Sequence, residues 1–205
     1  LPAGGPLRGG REGRRGLERM DQRTRRRLTA FLPSAFGLPV VGVLGQRGWD
    51  GVLRVEDWAP GLKAAASEAG LEDPSLLAGL VYAESRGHAG ALSSIGAAGL
   101  CQLVPSTAAE LAARHGVADP AVPAANLRLG AHYLAEQLDA WDGDARLALL
   151  AYRLGPGTVA RGIEEAGGAE PWLDGLKARK PSPWEYVVQV MRFRDRFAER
   201  GRLGA

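Results

Sequence analysis

Glu84 is the side chain in this sequence best placed to move a proton. It follows the apolar residues Leu76, Leu77, Leu80 and Val81, one helical turn beyond Leu80, so a helix here carries the carboxyl group on its buried side. A carboxylate there is costly to ionise, which raises its pKa and keeps it a proton donor near neutrality. The loop that follows from Gly87 holds four glycines (Gly87, Gly90, Gly96, Gly99) and two serines (Ser93, Ser94) within fifteen residues. Side chains that small do not pack as a core, but they let a ligand or another backbone come close. The plainer role for a glutamate at a helix end is solvation, or pairing with a neighbour such as Arg86. Other chemistries have less support. The single cysteine, Cys101, excludes an intrachain disulfide and reads as a small buried thiol, with no histidine or acid at a telling spacing. His88, His115 and His132 show no metal-site pairing, so neither metal nor cofactor is expected.

A run of helices must position Glu84. Leu62, Ala65, Ala66 and Ala69 predict a helix over 60–69, stopped by Gly70. Asp73 before Pro74 is an N-cap signal for a second helix over 74–84. Ser106 or Thr107 is expected to cap a third over 107–114, and Asn126 a fourth, whose Leu127, Gly130, Tyr133 or Leu134, Gln137 or Leu138, and Trp141 recur at helical spacing. Asp142-Gly143-Asp144 is a turn before an Ala/Leu-rich helix over 145–154, and a short helix follows Gly157. Gly and Pro spacing marks 167–183 as loop with room for one turn of helix, and the last helix carries Tyr186, Val187, Val190, Met191, Phe193 or Arg194, and Phe197 inward. The one stretch with a strand's alternation is Val52 to Val55. The expected fold is therefore all-α: a single helical domain over 46–205.

Charge divides the chain. Residues 1–45 carry nine arginines against three acids, whereas 46–205 carry 17 Lys and Arg against 20 acids. The basic pI thus belongs to the N-terminal segment, and the folded part is not expected to bind nucleic acid. After a basic, Gly- and Pro-rich start read as disordered, MDQRTRRRLTA from Met20 precedes the apolar FLPSAFGLPVVGVLG. Those are the parts of an export signal over 20–45, too short to span a bilayer comfortably and interrupted by Pro33 and Pro39. The expectation is export to the periplasm or cell envelope, with the basic segment able to associate with a membrane.

Glu84, Ser85, Ser93, Gly96, Ala97, Gly99, Leu100, Gln102, Leu103 and Pro105 together form a pattern that resembles the soluble lytic transglycosylase family, lysozyme-like enzymes that cleave peptidoglycan glycan strands. The likeness continues through Asn126, Leu127, Gly130, Tyr133 and Leu134, then Ala151, Tyr152, Gly155, Pro156 and Gly157, and ends on Tyr186 and Val187. It implies a lysozyme-like domain with a glycan-binding groove, acting as a monomer without cofactor. Glu84 would be the sole catalytic carboxyl group, Ser93 and Gln102 would bind the sugar, Tyr152 would hydrogen-bond near Glu84, and Tyr186 would close one wall. Each has a plainer role: Ser93 as a loop cap, Gln102 as a backbone partner, the tyrosines as core. Asp119, Asp142 and Asp144 stay open as a second acid. The implied reaction joins the C6 hydroxyl of muramic acid to its own anomeric carbon, leaving a 1,6-anhydro end; a lysozyme-type hydrolase and a non-catalytic peptidoglycan binder are the alternatives. Three positions depart from the family pattern: Gly87 where an aromatic residue is usual, Cys101 where methionine is common, and Arg153 where asparagine is usual. A guanidinium at 153 near Glu84 would stabilise the ionised carboxylate.

Overall fold

The computed structural model describes residues 46–203. The basic segment and export signal expected over 1–45 lie outside these residues. Among the described residues there are nine helices and no strand, only isolated bridges in one loop. The helices are α1 (Gln46–Asp57), α2 (Ala59–Ala69), α3 (Pro74–Ser85), α4 (Pro105–His115), α5 (Pro123–Ala140), α6 (Ala145–Leu154), α7 (Pro156–Glu165), α8 (Ala169–Lys177) and α9 (Trp184–Glu199). The all-α expectation holds. Among the described residues, no helix is long and apolar enough to cross a membrane.

Helix α3 runs through the middle of the core. Its start follows the local chemistry: Asp73 Oδ1 accepts from Ser75 N at 2.9 Å and Pro74 occupies the first turn. From Leu76 to Tyr82 every residue is buried, so α3 is enclosed all round rather than amphipathic. Its closest partner is α9. A Cβ on Gly79 would sit 2.5 Å from Val190 O and 2.8 Å from Arg194 N, so the two backbones meet where α3 has no side chain. Tyr82 stacks on Phe193 just beyond that crossing. Gly79→Ala is therefore expected to destabilise the fold by about 1–3 kcal/mol, the usual cost of overpacking, despite alanine's better helix propensity. A lower urea midpoint would show it, and an unchanged midpoint would refute the close crossing.

Several sequence expectations are corrected. Val52 and Val55 lie in helix α1, not a strand: with Glu56 they are buried at i, i+3 and i+4, a helical period. The 167–183 loop contains α8, because Trp172, Leu173 and Leu176 bury one face of a helix and Pro171 falls in its first turn, where no amide partner is needed. Helix α4 starts at Pro105 after Val104, with no side-chain cap from Ser106 or Thr107. Helix α5 starts at Pro123, four residues from the expected edge, so Asn126 lies inside it and caps nothing.

Helix α1 is tied to the end of the chain. The Glu56 side chain is buried and takes hydrogen bonds from Arg200 Nε and, at 2.9 Å, from Arg200 Nη2; Arg202 Nε lies 3.6 Å away. Arg200's hydrogen bonding holds the Glu56 carboxyl below the usual carboxylate range. Elsewhere, His115 and His132 stack with ring centroids 3.9 Å apart inside an ion-pair network of Glu68, Arg114, Arg128 and Glu136. No group of three or more metal-ligating side chains occurs among the described residues.

Candidate active site

Glu84 sits in the last turn of α3, and two consecutive left-handed residues, Arg86 (φ 52°) and Gly87 (φ 77°), swing the chain away after it. Helix α1 closes over that turn. Arg54 Nε donates to Arg86 O and Trp58 Nε1 to Gly87 O, both at 3.2 Å. A Cβ on Gly87 would lie 2.9 Å from backbone atoms of Arg54 and Val55. The missing side chain at 87 therefore leaves no gap, since the backbone of α1 occupies that place.

The loop from 88 to 104 is braced by its own polar residues. Ser93 Oγ accepts from Ala97 N at 2.9 Å while Ser93 N donates to Ala97 O, closing a tight turn. The Gln102 side-chain amide donates to Ala91 O and Gly99 O, each at 3.0 Å. Both side chains thus brace the loop. Ser85, next to Glu84, places its hydroxyl 2.8 Å from Leu100 O and accepts from Gly87 N at 3.2 Å. It pins the loop to the end of α3.

Asn126 is the second pin. From α5, its Oδ1 accepts from Cys101 N at 2.8 Å and its Nδ2 donates to Ala98 O at 3.2 Å. Gly99, at φ 82°, lies so close to this amide that a Cβ would fall 2.5 Å from it. The Cys101 thiol is fully buried, its pKa pushed far up by burial, and it lies against Gly130. Residue type and spacing alone assign neither Ser85 nor Asn126 a role at this site. The available signals were a polar residue directly after the glutamate and an asparagine on an apolar helix face.

Three more side chains converge on Glu84. Tyr152 does not hydrogen-bond to it: its hydroxyl donates to Cys101 O at 3.0 Å, and its ring packs on Tyr133. It supports the loop behind the carboxyl group. The Tyr186 hydroxyl from α9 is buried without a partner of ordinary hydrogen-bond geometry, yet close enough to act on Glu84 and lower its pKa. Arg153, on α6, places Nη1 3.4 Å from Glu84 Oε2 and its guanidinium 5.3 Å from the Tyr186 ring centroid. The Glu84 side chain is only 4% exposed, whereas that of Arg153 is 27% exposed. Burial pushes the Glu84 pKa up, Arg153 and Tyr186 pull it down, and burial prevails. Of the three aspartates open as a second acid, two have other partners and the third is exposed. Asp144 caps α6 and pairs with Arg146, Asp119 accepts from Ala121 N, and Asp142 is exposed in its turn. None of them is among the groups that shift Glu84. The arrangement offers one buried carboxyl group, protonated beyond the usual carboxylate range, with one cation beside it.

Residues 62–174 match the family model of the Transglycosylase SLT domain. A transglycosylase of Enterobacteria phage PRD1 is 43% identical over 98 residues, which is 48% of this chain and 35% of the phage protein. The fold is similar to that of an inactive mutant of the lytic transglycosylase Slt from Pseudomonas aeruginosa, with a TM-score of 0.61 and 27% identity over 71% of this chain and 24% of that one. The 70 kDa soluble lytic transglycosylase of Escherichia coli shares the fold at a TM-score of 0.53, with 21% identity over 62% of this chain and 22% of that one. The chain spans about a third of the phage relative's length and about a quarter or less of each solved chain's.

Proposed function

Because the chain belongs to the transglycosylase SLT-domain family, by a match covering more than half its length, we propose that it is a lytic transglycosylase acting on the glycan strands of peptidoglycan in the cell envelope. The observation that carries this reading is the buried carboxyl of Glu84, raised in pKa and enclosed by Arg153, Tyr186 and a loop pinned at Ser85 and Asn126.

One carboxyl group suffices when the substrate supplies its own nucleophile. Most glycosidases need two, but substrate-assisted reactions dispense with the second. Glu84 first gives its proton to the bridging oxygen of the β-1,4 bond after a muramic acid unit, and the bond from that oxygen to the anomeric carbon breaks. The sugar's acetamido oxygen stabilises the cationic carbon. The Glu84 carboxylate then takes the proton of the C6 hydroxyl, whose oxygen closes onto the anomeric carbon. Glu84 ends protonated, no water is consumed, and the product carries a 1,6-anhydro ring. Holding the C6 hydroxyl beside its target gives the closure a high effective concentration. Ser93 and Gln102 serve here by shaping the loop that meets the sugar, and Tyr152 and Tyr186 by walling the carboxyl group.

Mass spectrometry of digested peptidoglycan tests the reading. Anhydromuramoyl products are expected; products heavier by one water would make the enzyme a hydrolase. The Arg153–Glu84 contact favours one second reading, a glycan-binding component without turnover. In that case wild type and Glu84→Gln are equally inert on purified sacculi, yet both bind them.

A further inference from the structure

Arg153 sets a guanidinium beside the buried carboxyl group of Glu84. Its guanidinium is held from two sides, 3.4 Å from Glu84 Oε2 on α3 and 5.3 Å from the Tyr186 ring centroid on α9. We propose that Arg153 is a positioning residue for Glu84: seated over Tyr186, it fixes the orientation of the carboxyl group and supplies the counter-charge that the carboxylate meets after giving up its proton. This rests on the lytic transglycosylase reading.

A carboxyl group buried without a nearby cation is easily kept protonated but is a poor donor, because its conjugate base would be left as an unsupported buried charge. The proposed reaction needs both forms of Glu84 in turn. The groups facing it are Tyr186 from α9, Tyr152 from α6 and Cys101 from the loop, whose own ionisation is suppressed by burial and by Glu84 itself. That leaves Arg153 as the member of this set that carries charge. Its distance matters. Strong charge-assisted hydrogen bonds lie near 2.7–2.9 Å, so a 3.4 Å contact from a guanidinium that is 27% exposed supports the carboxylate without locking it as a permanent ion pair. The Tyr186 ring keeps the guanidinium in place by cation–π attraction while the proton leaves and returns.

Infrared difference spectra against Glu84→Gln isolate the carbonyl band of protonated Glu84, which can be followed with pH in wild type, Arg153→Met and Arg153→Lys. In Arg153→Met the band is expected to persist to higher pH than in wild type, and the alkaline limb of kcat/KM on purified glycan strands is expected to move the same way. Turnover on the plateau falls, because the carboxylate has lost its support. Arg153→Lys restores the charge and returns band and limb toward wild type. A band that titrates at the same pH in wild type and Arg153→Met overturns the inference, whatever the activity does. The infrared titration needs no turnover, so it separates the two ideas. If it shifts as expected but wild type forms no anhydro product, the transglycosylase reading is the one that fails.

Discussion

Glu84→Gln releases no measurable anhydro-sugar product from purified peptidoglycan, and it melts at a higher temperature than wild type at neutral pH. The first effect follows from removing the proton that the leaving oxygen needs. General acid catalysis contributes about 10²–10⁴-fold, and here the same carboxyl also takes the second proton, so the loss should lie at or beyond the upper end of that range. The second effect follows from linkage. The folded-state pKa of Glu84 lies above its ordinary value because of burial, so between the unfolded and folded values the native state binds more protons than the unfolded chain. Stability falls as pH rises through that window. Glutamine has no proton to lose, so its gain in melting temperature is fully developed above the window and vanishes below the unfolded carboxyl pKa of about 4.3. Thermal melts of both proteins across pH 4–9 would show this. Retained product formation would remove Glu84 from the chemistry, and a Glu84→Gln protein less stable than wild type at neutral pH would contradict its burial.

Asn126→Ala is expected to give the largest loss of stability among single changes at the site, about 2–4 kcal/mol by urea unfolding. The substitution leaves the Cys101 amide, buried and now unpartnered, and withdraws the donor from Ala98 O; each such orphaned group costs roughly 1–3 kcal/mol. It also opens a space against Gly99, whose backbone lies tight against the amide. Activity should fall even at temperatures where the variant is fully folded, because the loop it pins carries Gln102 and lies against Ser85 beside Glu84. Asn126→Asp keeps the acceptor for Cys101 N but buries a charge and turns a carboxylate oxygen toward Ala98 O, so it is not expected to restore stability or turnover at neutral pH. A loss below 1 kcal/mol for Asn126→Ala would show that the loop holds its shape without α5.

The elements differ in how legible they were, and the reasons are physical. The cap at Asp73, the stop at Gly70 and the buried stripe of α5 follow from contacts within one or two turns, so residue type and spacing state them directly. Helix α8 was obscured because Gly and Pro signals outweighed a short run of apolar residues that only a packing partner makes decisive. For helix α1, the arginines that hold its buried Glu56 lie at the far end of the chain, beyond the reach of local periodicity. Ser93 and Gln102 show the same limit in another form. Their spacing is a pattern, but only the folded loop shows that Ser93 Oγ accepts from Ala97 N and that Gln102 Nε2 donates to Ala91 O and Gly99 O.

By itself the amino-acid order determined an all-helical domain, a glutamate at the end of its most apolar helix, and a glycine-rich loop after it. These depend on periodicity and backbone freedom, which are local properties of a chain. The tertiary structure alone decided that Arg153, 69 positions away, meets Glu84 over the ring of Tyr186, and that Asn126 grips the loop instead of capping a helix. Such pairings come from how whole helices pack against one another.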